Sequence, residues 1–409
     1  MTKTRLRPIL LVELIDILGF LLVFMFNGEY NINIVYAGLA MCAINLAVYA
    51  VMYFADLGDG YLFLIVSMLV SIGIIMMFRL NPDRGFHQMT WFVIGICIMF
   101  GAYFVYRLFP SWDKLKYVYM ALTAVLFVTT LVFGDTINGS RNWIVINGRS
   151  FQPSEIIKLL YAFTLACCFC KNVSASDDEQ TWLLGVKRRE WELMIYVYMC
   201  LGFLVLQREW GTAVLFVLMY FAMMILYDTD IRLKLINVFL ALAGGVGGYF
   251  LTDHIRVRVA TWLDPWADAT NKGYQITQSL IAIASGGFFG AGVGNGDPYL
   301  IPEVHSDFIF SAICEEMGMF MGIAIIMLYF IFSYRGFKIA LKAKNEFNKA
   351  LSLSLVTSFA FQTFIIVGGV IKMIPLTGIT LPFVSYGGSS MVSCFIILGL
   401  LTAISHYDA

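Results

Sequence analysis

The sequence predicts an all-α polytopic membrane protein of about 12 transmembrane helices. Two observations carry that prediction. Of 409 residues, 60% are hydrophobic and only 13% are charged, where a soluble domain carries about 25% charged residues. Apolar runs long enough to cross a bilayer also recur from one end to the other. A helix satisfies its own backbone in lipid, so such runs read as helices. One integral-membrane domain over residues 1–409 is expected. The formal net charge is zero, which leaves no electrostatic footprint for nucleic acid. All eight cysteines fall inside apolar runs, where cysteine serves as small apolar filler.

The spans are expected near 8–27, 33–54, 61–79, 89–107, 116–134, 153–171, 191–207, 211–228, 233–251, 307–334, 348–370 and 387–406. Met1–Pro8 is a short basic tail that leads straight into the first span, so no cleavable leader is expected. Placing the N-terminus inside puts 17 of the 27 Lys and Arg residues on the cytoplasmic side, most densely in Arg335–Lys349. That bias satisfies the positive-inside rule, and both termini are then cytoplasmic. The outer face receives residues 135–152, the tight turn Gln207–Trp210, a large extracytoplasmic loop over 252–306, and residues 371–386.

The polar chemistry gathers on that outer face. Pro153 suits the first turn of a helix, and Glu155 and Lys158 share a face at its head. A structural ion pair and a substrate role weigh about equally there, since ionisable groups at that depth are costly. Trp143 reads either as a functional residue or as an interfacial anchor. Glu209 lies in a charged turn whose plain reading is a solvated hairpin. Arg256 and Arg258 suit a diphosphate, because a guanidinium offers bidentate bonds; an arginine pair beside lipid phosphates competes. Residues 274–285 fit an interfacial helix. The glycine run from Gly286 to Gly296 lacks a P-loop ending and reads as backbone in close approach to a ligand. Asp307 stands at the head of the next helix, where a plain cap is the first reading. His305 is placed to tune it, whereas His87, His254 and His406 look incidental. Glu315 and Glu316, roughly 12 Å further along, are expected to tie that helix to a neighbour. Irregular backbone over 374–390 precedes the last span, and Ser385 within it, like His305 and Glu209, is expected to contact substrate.

Taken together, NGSRNWI and FQPSEIIK from Asn138 to Lys158, then DPW, GYQITQS, ASGGFFGAGVGNG, IPEVHSDFIF, EEMG and IPLTGITLPFVSYGGSS, resemble the SEDS family of RodA, FtsW and SpoVE. The likeness runs from Asn138 to the C-terminus. It implies a SEDS-type bundle and a peptidoglycan glycosyltransferase that polymerises lipid II on the outer face of the bacterial cytoplasmic membrane. The implied partners are lipid II, a class B penicillin-binding protein and other elongation or division proteins. The family's essential aspartate falls on Asp307, its tryptophan on Trp143 and its QPSE-x-x-K pair on Glu155 and Lys158. Asp307 is then expected as general base, with Arg256, Arg258 and Arg141 toward the departing diphosphate and Mg2+ or Mn2+ if a divalent cation is required.

Four departures stand out. Gln207-Arg208-Glu209-Trp210-Gly211-Thr212 replaces Q-P-D-x-G-T, with Glu209 keeping the family's acid and its role one methylene longer; Ile366 replaces an asparagine, and Lys372 replaces a small residue. The family core has ten spans, so two extra helices are expected within residues 1–80. Two other functions stay open. A lipid II flippase would need a polar, broken-helix path near mid-membrane, and a non-enzymatic scaffold would need none of the outer chemistry.

Overall fold

The computed structural model describes residues 8–26, 31–137, 139–146, 149–170 and 187–407. All twelve expected spans are helices: α1 (Ile9–Phe26), α2 (Ile32–Phe54), α3 (Gly60–Leu80), α4 (Pro82–Leu108), α5 (Lys116–Phe133), α6 (Pro153–Phe169), α7 (Arg188–Leu206), α8 (Trp210–Leu226), α9 (Ile231–Leu251), α12 (Ile309–Lys342), α13 (Glu346–Val370) and α14 (Gly388–Tyr407). Among the described residues, nine helices are long and apolar enough to cross a membrane. The other three of the twelve are α6 and α8, each 17 residues long, and α7, which opens on Arg188, Arg189 and Glu190.

Local chemistry sets the ends. Asn31, Asp59 and Asp230 each accept a backbone N–H from two residues on, at 3.0, 3.1 and 2.8 Å, the usual N-terminal cap. Pro82 and Pro153 stand in first turns, where their missing N–H costs nothing.

Two stretches expected as loops are folded. Residues 252–306 contain α10 (Asp253–Leu263) and α11 (Tyr274–Gly286), the second matching the expected interfacial helix. An antiparallel sheet is formed by β1 (Asp135–Ile137), β2 (Ser140–Ile146) and β3 (Arg149–Phe151), in the order β1-β2-β3. Asp135 pairs with Trp143 and Val145 with Ser150. Asn138 and residues 171–186, Lys171 included, lie outside the described residues.

The chain divides into two compact units. The first holds residues up to 108, 260–335 and 362–409. In it α3 is largely buried, and α14 lies along α4 with Phe395 filling the space left by Gly95. Gly19 admits Ile75, and Gly38 admits Phe20, so α1, α2 and α3 interlock. At one end Arg335 grips Asp59 through Nε at 2.9 Å and Nη2 at 2.7 and 2.6 Å. The second unit holds residues 109–259 and 336–361. Its core stacks Tyr161 on Phe216 at 4.1 Å, with the Tyr161 hydroxyl donating to the Phe216 carbonyl at 3.0 Å.

The glycine run has a different partner from the one expected. In the first unit it packs on the backbone of α12 rather than standing open to a ligand. Ala291 and Gly292 N–H groups donate to the Glu315 and Glu316 carbonyls at 2.9 and 3.0 Å. Met319 and Phe320 donate back to Gly287 and Phe288 at 2.9 and 3.1 Å. The helix bends there at Gly318, φ 83°. A Cβ at Gly290, φ 88°, would strike the Glu316 backbone. Close backbone approach is therefore the reason for these glycines.

Candidate active site

The expected site residues fall into two groups, one in each unit. Asp307, His305 and Ser385 belong to the first; Arg141, Trp143, Glu155, Lys158, Glu209, Arg256 and Arg258 belong to the second.

In the first unit Asp307 is half-buried in a turn that ends just before α12 begins. The turn is wound about Glu303, φ 55°. Its carbonyl accepts from the N–H groups of Ser306, Asp307 and Phe308 at 3.1, 3.2 and 3.4 Å. The irregular stretch before α14 braces the turn from outside. Ser385 Oγ donates to the Ser306 carbonyl at 2.5 Å and accepts from Leu381 N–H at 2.9 Å. Tyr386 N–H donates to the His305 carbonyl at 2.8 Å. Buried Gln88 of α4 donates to the Ser385 carbonyl at 3.1 Å, and Gly73 of α3 lets the Val384 backbone approach. Ser385 therefore positions the turn.

The His305 ring sits 3.5 Å from a Glu303 carboxylate oxygen and edge-on to Tyr386. Burial pushes its pKa below the ordinary 6.5, Arg84 adds to the shift, and Glu303 opposes it. The ring is then neutral at pH 7, able to hydrogen-bond but carrying no charge. Arg84, near the start of α4, is a cation of this neighbourhood that sequence reasoning passed over. Nearby, Glu316 pairs with Arg79 of α3 at 3.0 Å, and Glu315 accepts Asp297 N–H at 3.0 Å. Both acids tie α12 to neighbours, as expected.

In the second unit the centre is Glu209. Its Oε1 accepts from Gln152 Nε2 at 2.7 Å, Ser154 Oγ at 2.7 Å and Thr212 Oγ1 at 2.9 Å. Burial pushes its pKa up, the three donors pull it back, and Glu155 adds to the rise. Gln207 and Glu209 are 1% and 7% exposed, so the turn is no solvated hairpin. The sheet covers it: Arg141 N–H donates to the Gln207 carbonyl at 3.1 Å, and Ser140 Oγ to the Arg208 carbonyl at 3.2 Å. Beside it Lys158 and Glu155 form a buried pair at 2.7 Å.

The arginines differ in what occupies them. Arg141 caps the end of α5, donating to the Gly134 and Val132 carbonyls at 2.9 and 3.3 Å. Trp143 stands half-exposed on β2. Arg256 is held by Asp253 at 3.1 Å and the Phe250 carbonyl at 3.0 Å. His254, read from sequence as incidental, lies within the field of two arginines. Burial lowers its pKa, and the charges of Arg258 and Arg208 lower it further. Arg208 and Arg258 thus raise a positive potential at His254, which holds its ring toward the neutral form.

A family model described as cell cycle protein, FtsW/RodA/SpoVE, matches residues 59–409. The chain belongs to the SEDS family. The match leaves α1 and α2 ahead of it. Among SEDS relatives, a peptidoglycan glycosyltransferase RodA from Mycobacterium tuberculosis is 34% identical over 87% of this chain and 80% of its own length. Stage V sporulation protein E of Bacillus subtilis is 32% identical over 86% and 97%. A solved peptidoglycan synthase complex, described as coordinating polymerization and crosslinking, contains a chain that superposes with TM-score 0.71 at 25% identity, over 86% of this chain and 99% of that one. Crystallised RodA from Thermus thermophilus shares the SEDS fold with TM-score 0.62 at 24% identity, over 86% and 97%.

Proposed function

We propose that the chain is a peptidoglycan glycosyltransferase that polymerises lipid II into glycan strands on the outer face of the cytoplasmic membrane. The observation that carries this reading is the braced turn that presents Asp307 in a chain of the SEDS family. An acceptor sugar hydroxyl attacks the anomeric carbon of the donor strand. The new glycosidic C–O bond forms as the bond to the diphosphate breaks, and the polyprenyl diphosphate leaves with the electron pair. The hydroxyl proton passes to the Asp307 carboxylate. A positioned base of this kind supplies about 10²–10⁴-fold in rate. The His305 ring, 3.5 Å from the Glu303 carboxylate and edge-on to Tyr386, favours the neutral form and brings no competing charge. The diphosphate departs with three negative charges until it takes up a proton; taken by itself, the second unit offers the Arg258 and Arg208 guanidinium groups as chemistry suited to such an anion. Arg141 is better assigned to capping α5, and Glu209 with Glu155 and Lys158 to holding the α6 and α8 heads in place.

Among the described residues the three-ligand grouping of His, Cys, Asp or Glu is found at Glu13, Asp16 and Cys42, not around Asp307. The turn therefore builds no ready cage for Mg2+ or Mn2+. An ion taking part would arrive on the diphosphate, as Mg2+ does with many phosphates, and the step above is written without it.

The likeness to the synthase complex supports a class B penicillin-binding protein as partner, and the relatives support other elongation or division proteins around it. The charge bias supports cytoplasmic termini. The test is purified protein in vesicles carrying labelled lipid II, with its cognate transpeptidase. Glycan strands are the expected product. Lipid II moved across the bilayer without strands would establish a flippase instead, and neither outcome with a folded complex would leave a scaffold.

A further inference from the structure

The first unit buries a second polar cluster, in the helices that precede the family match. Glu13 and Asp16 lie three residues apart on α1 and so share one face. Cys42 and Asn45 have the same spacing on α2. Interlocking of α1 with α2 brings the two pairs together. One carboxylate oxygen from each of Glu13 and Asp16 and the Cys42 sulfur all lie within 4.8 Å of one another. Asn45 Nδ2 donates to Asp16 Oδ2 at 2.9 Å. The Ser71 hydroxyl of α3 is turned toward Asp16 without closing a bond of good geometry.

Two features set this cluster apart from an ordinary interhelical hydrogen-bond network. Asp16 and Asn45 are 0% exposed and Glu13 is 7% exposed, yet Glu13 Oε1, Asp16 Oδ1 and Asn45 Oδ1 have no hydrogen-bond partner. All three are acceptors. Nor, among the described residues of α1, α2 and α3, is there a free cation to balance them. α1 and α2 contain no Lys, Arg or His, and the only basic residue of α3 is Arg79, which is paired with Glu316. Asn45 donates to one Asp16 oxygen and the Cys42 thiol lies against Glu13, but buried acceptor atoms left without a donor, and acids without a counter-charge, are costly in lipid.

We propose that Glu13, Asp16, Cys42 and Asn45 form a site for one thiophilic divalent cation, Zn2+ by the chemistry of its ligands. Thiolate sulfur selects Zn2+ over Mg2+ or Ca2+. Zinc takes four ligands at about 2.0–2.3 Å, so ligand atoms in a tetrahedral shell stand about 3.5 Å apart, within side-chain adjustment of the 4.8 Å found for Glu13, Asp16 and Cys42; the unpartnered Asn45 Oδ1 is the fourth. On binding, the Cys42 proton and the proton of one of the two acids are released to solvent, because thiolate and carboxylate are the ligands. These two charges neutralise the ion, and the second acid keeps its proton and ligates through its carbonyl oxygen. The site closes α1 and α2 on each other and, through Asp16 and Ser71, on α3. It is a staple for the leading hairpin, independent of the reaction at Asp307.

The test is metal analysis of the tag-free full-length protein in detergent. The site predicts about one Zn2+ per chain, and at least a tenfold loss in Cys42→Ser with Asp16→Asn, since even outer partners of a metal site are worth about 10–100-fold in affinity. Replacement by Co2+ should give a sulfur-to-metal charge-transfer band that Cys42→Ser removes. Wild type alone suffices if the variants fail to fold: chelation should lower its melting temperature and Zn2+, but not Mg2+, should restore it. Wild type without stoichiometric metal overturns the proposal, as does Zn2+ retained in the double variant. So does an infrared carbonyl stretch of protonated Glu13 and Asp16 that Zn2+ leaves unchanged.

Discussion

At the residue scale, Glu209 and His305 show how burial turns ordinary side chains into specified ones. Three donors converge on Glu209 Oε1, and leaving such donors unsatisfied costs about 1–3 kcal/mol each. Glu209→Ala should lower the melting temperature in detergent by the equivalent of about 3 kcal/mol or more. Glu209→Gln keeps an acceptor for the same donors and should stay within about 1 kcal/mol of wild type. His305 and His254 both titrate below the ordinary 6.5 in the folded chain. The unfolded chain therefore takes up protons near 6.5 that the folded chain does not. Their contribution to stability is whole above that value and is lost as pH falls from it through the folded pKa. Thermal melts from about pH 7.5 down to about 5.5 should show a decline that His305→Asn with His254→Asn makes shallower. An unchanged slope would remove both histidines from the account. The sequence revealed Glu209 as an acid worth keeping but missed its burial, because the cover comes from β2, more than 60 residues earlier. No local pattern carries that information.

At the scale of elements, the glycine run and the bend in α12 form one device. Gly290→Ala forces a side chain at φ 88° into the Glu316 backbone, and Gly318→Ala does the same at φ 83° against Gly290 and Phe288. Either should abolish folded, monodisperse protein in size-exclusion chromatography. Gly244→Ala on α9, with open space around it, should be neutral or stabilising by up to about 1 kcal/mol. Spacing of glycines correctly signalled close approach here, but it could not say what approaches. The small sheet was missed for a related reason. Its strands are three, seven and three residues long, and Ser140-Arg141-Asn142-Trp143 gives no clear alternation. The metal-ligand grouping left a fainter trace, two carboxylates three apart inside the first span. Its partners on α2 appear only once the hairpin is built.

At the scale of the whole molecule, the twelve helices were legible because lipid forces long apolar runs on any chain that crosses it. The same logic orients them. In sealed cells, a cysteine placed at Asp268 should react with an impermeant maleimide, and one at Lys344 only after permeabilisation; the reverse pattern would invert the topology and move Asp307 to the wrong face. Function was legible because the family's motifs are long and stand in order, while the composition alone would have fitted any membrane protein. The claim on which the rest depends is that the Asp307 carboxylate accepts the acceptor's proton. The most direct measurement is the rate of lipid II polymerisation by the purified protein with its partner, comparing wild type with Asp307→Asn at equal folded concentration. The account predicts a loss of about 10²–10⁴-fold with the melting temperature unchanged. Strand synthesis near the wild-type rate in Asp307→Asn would contradict it.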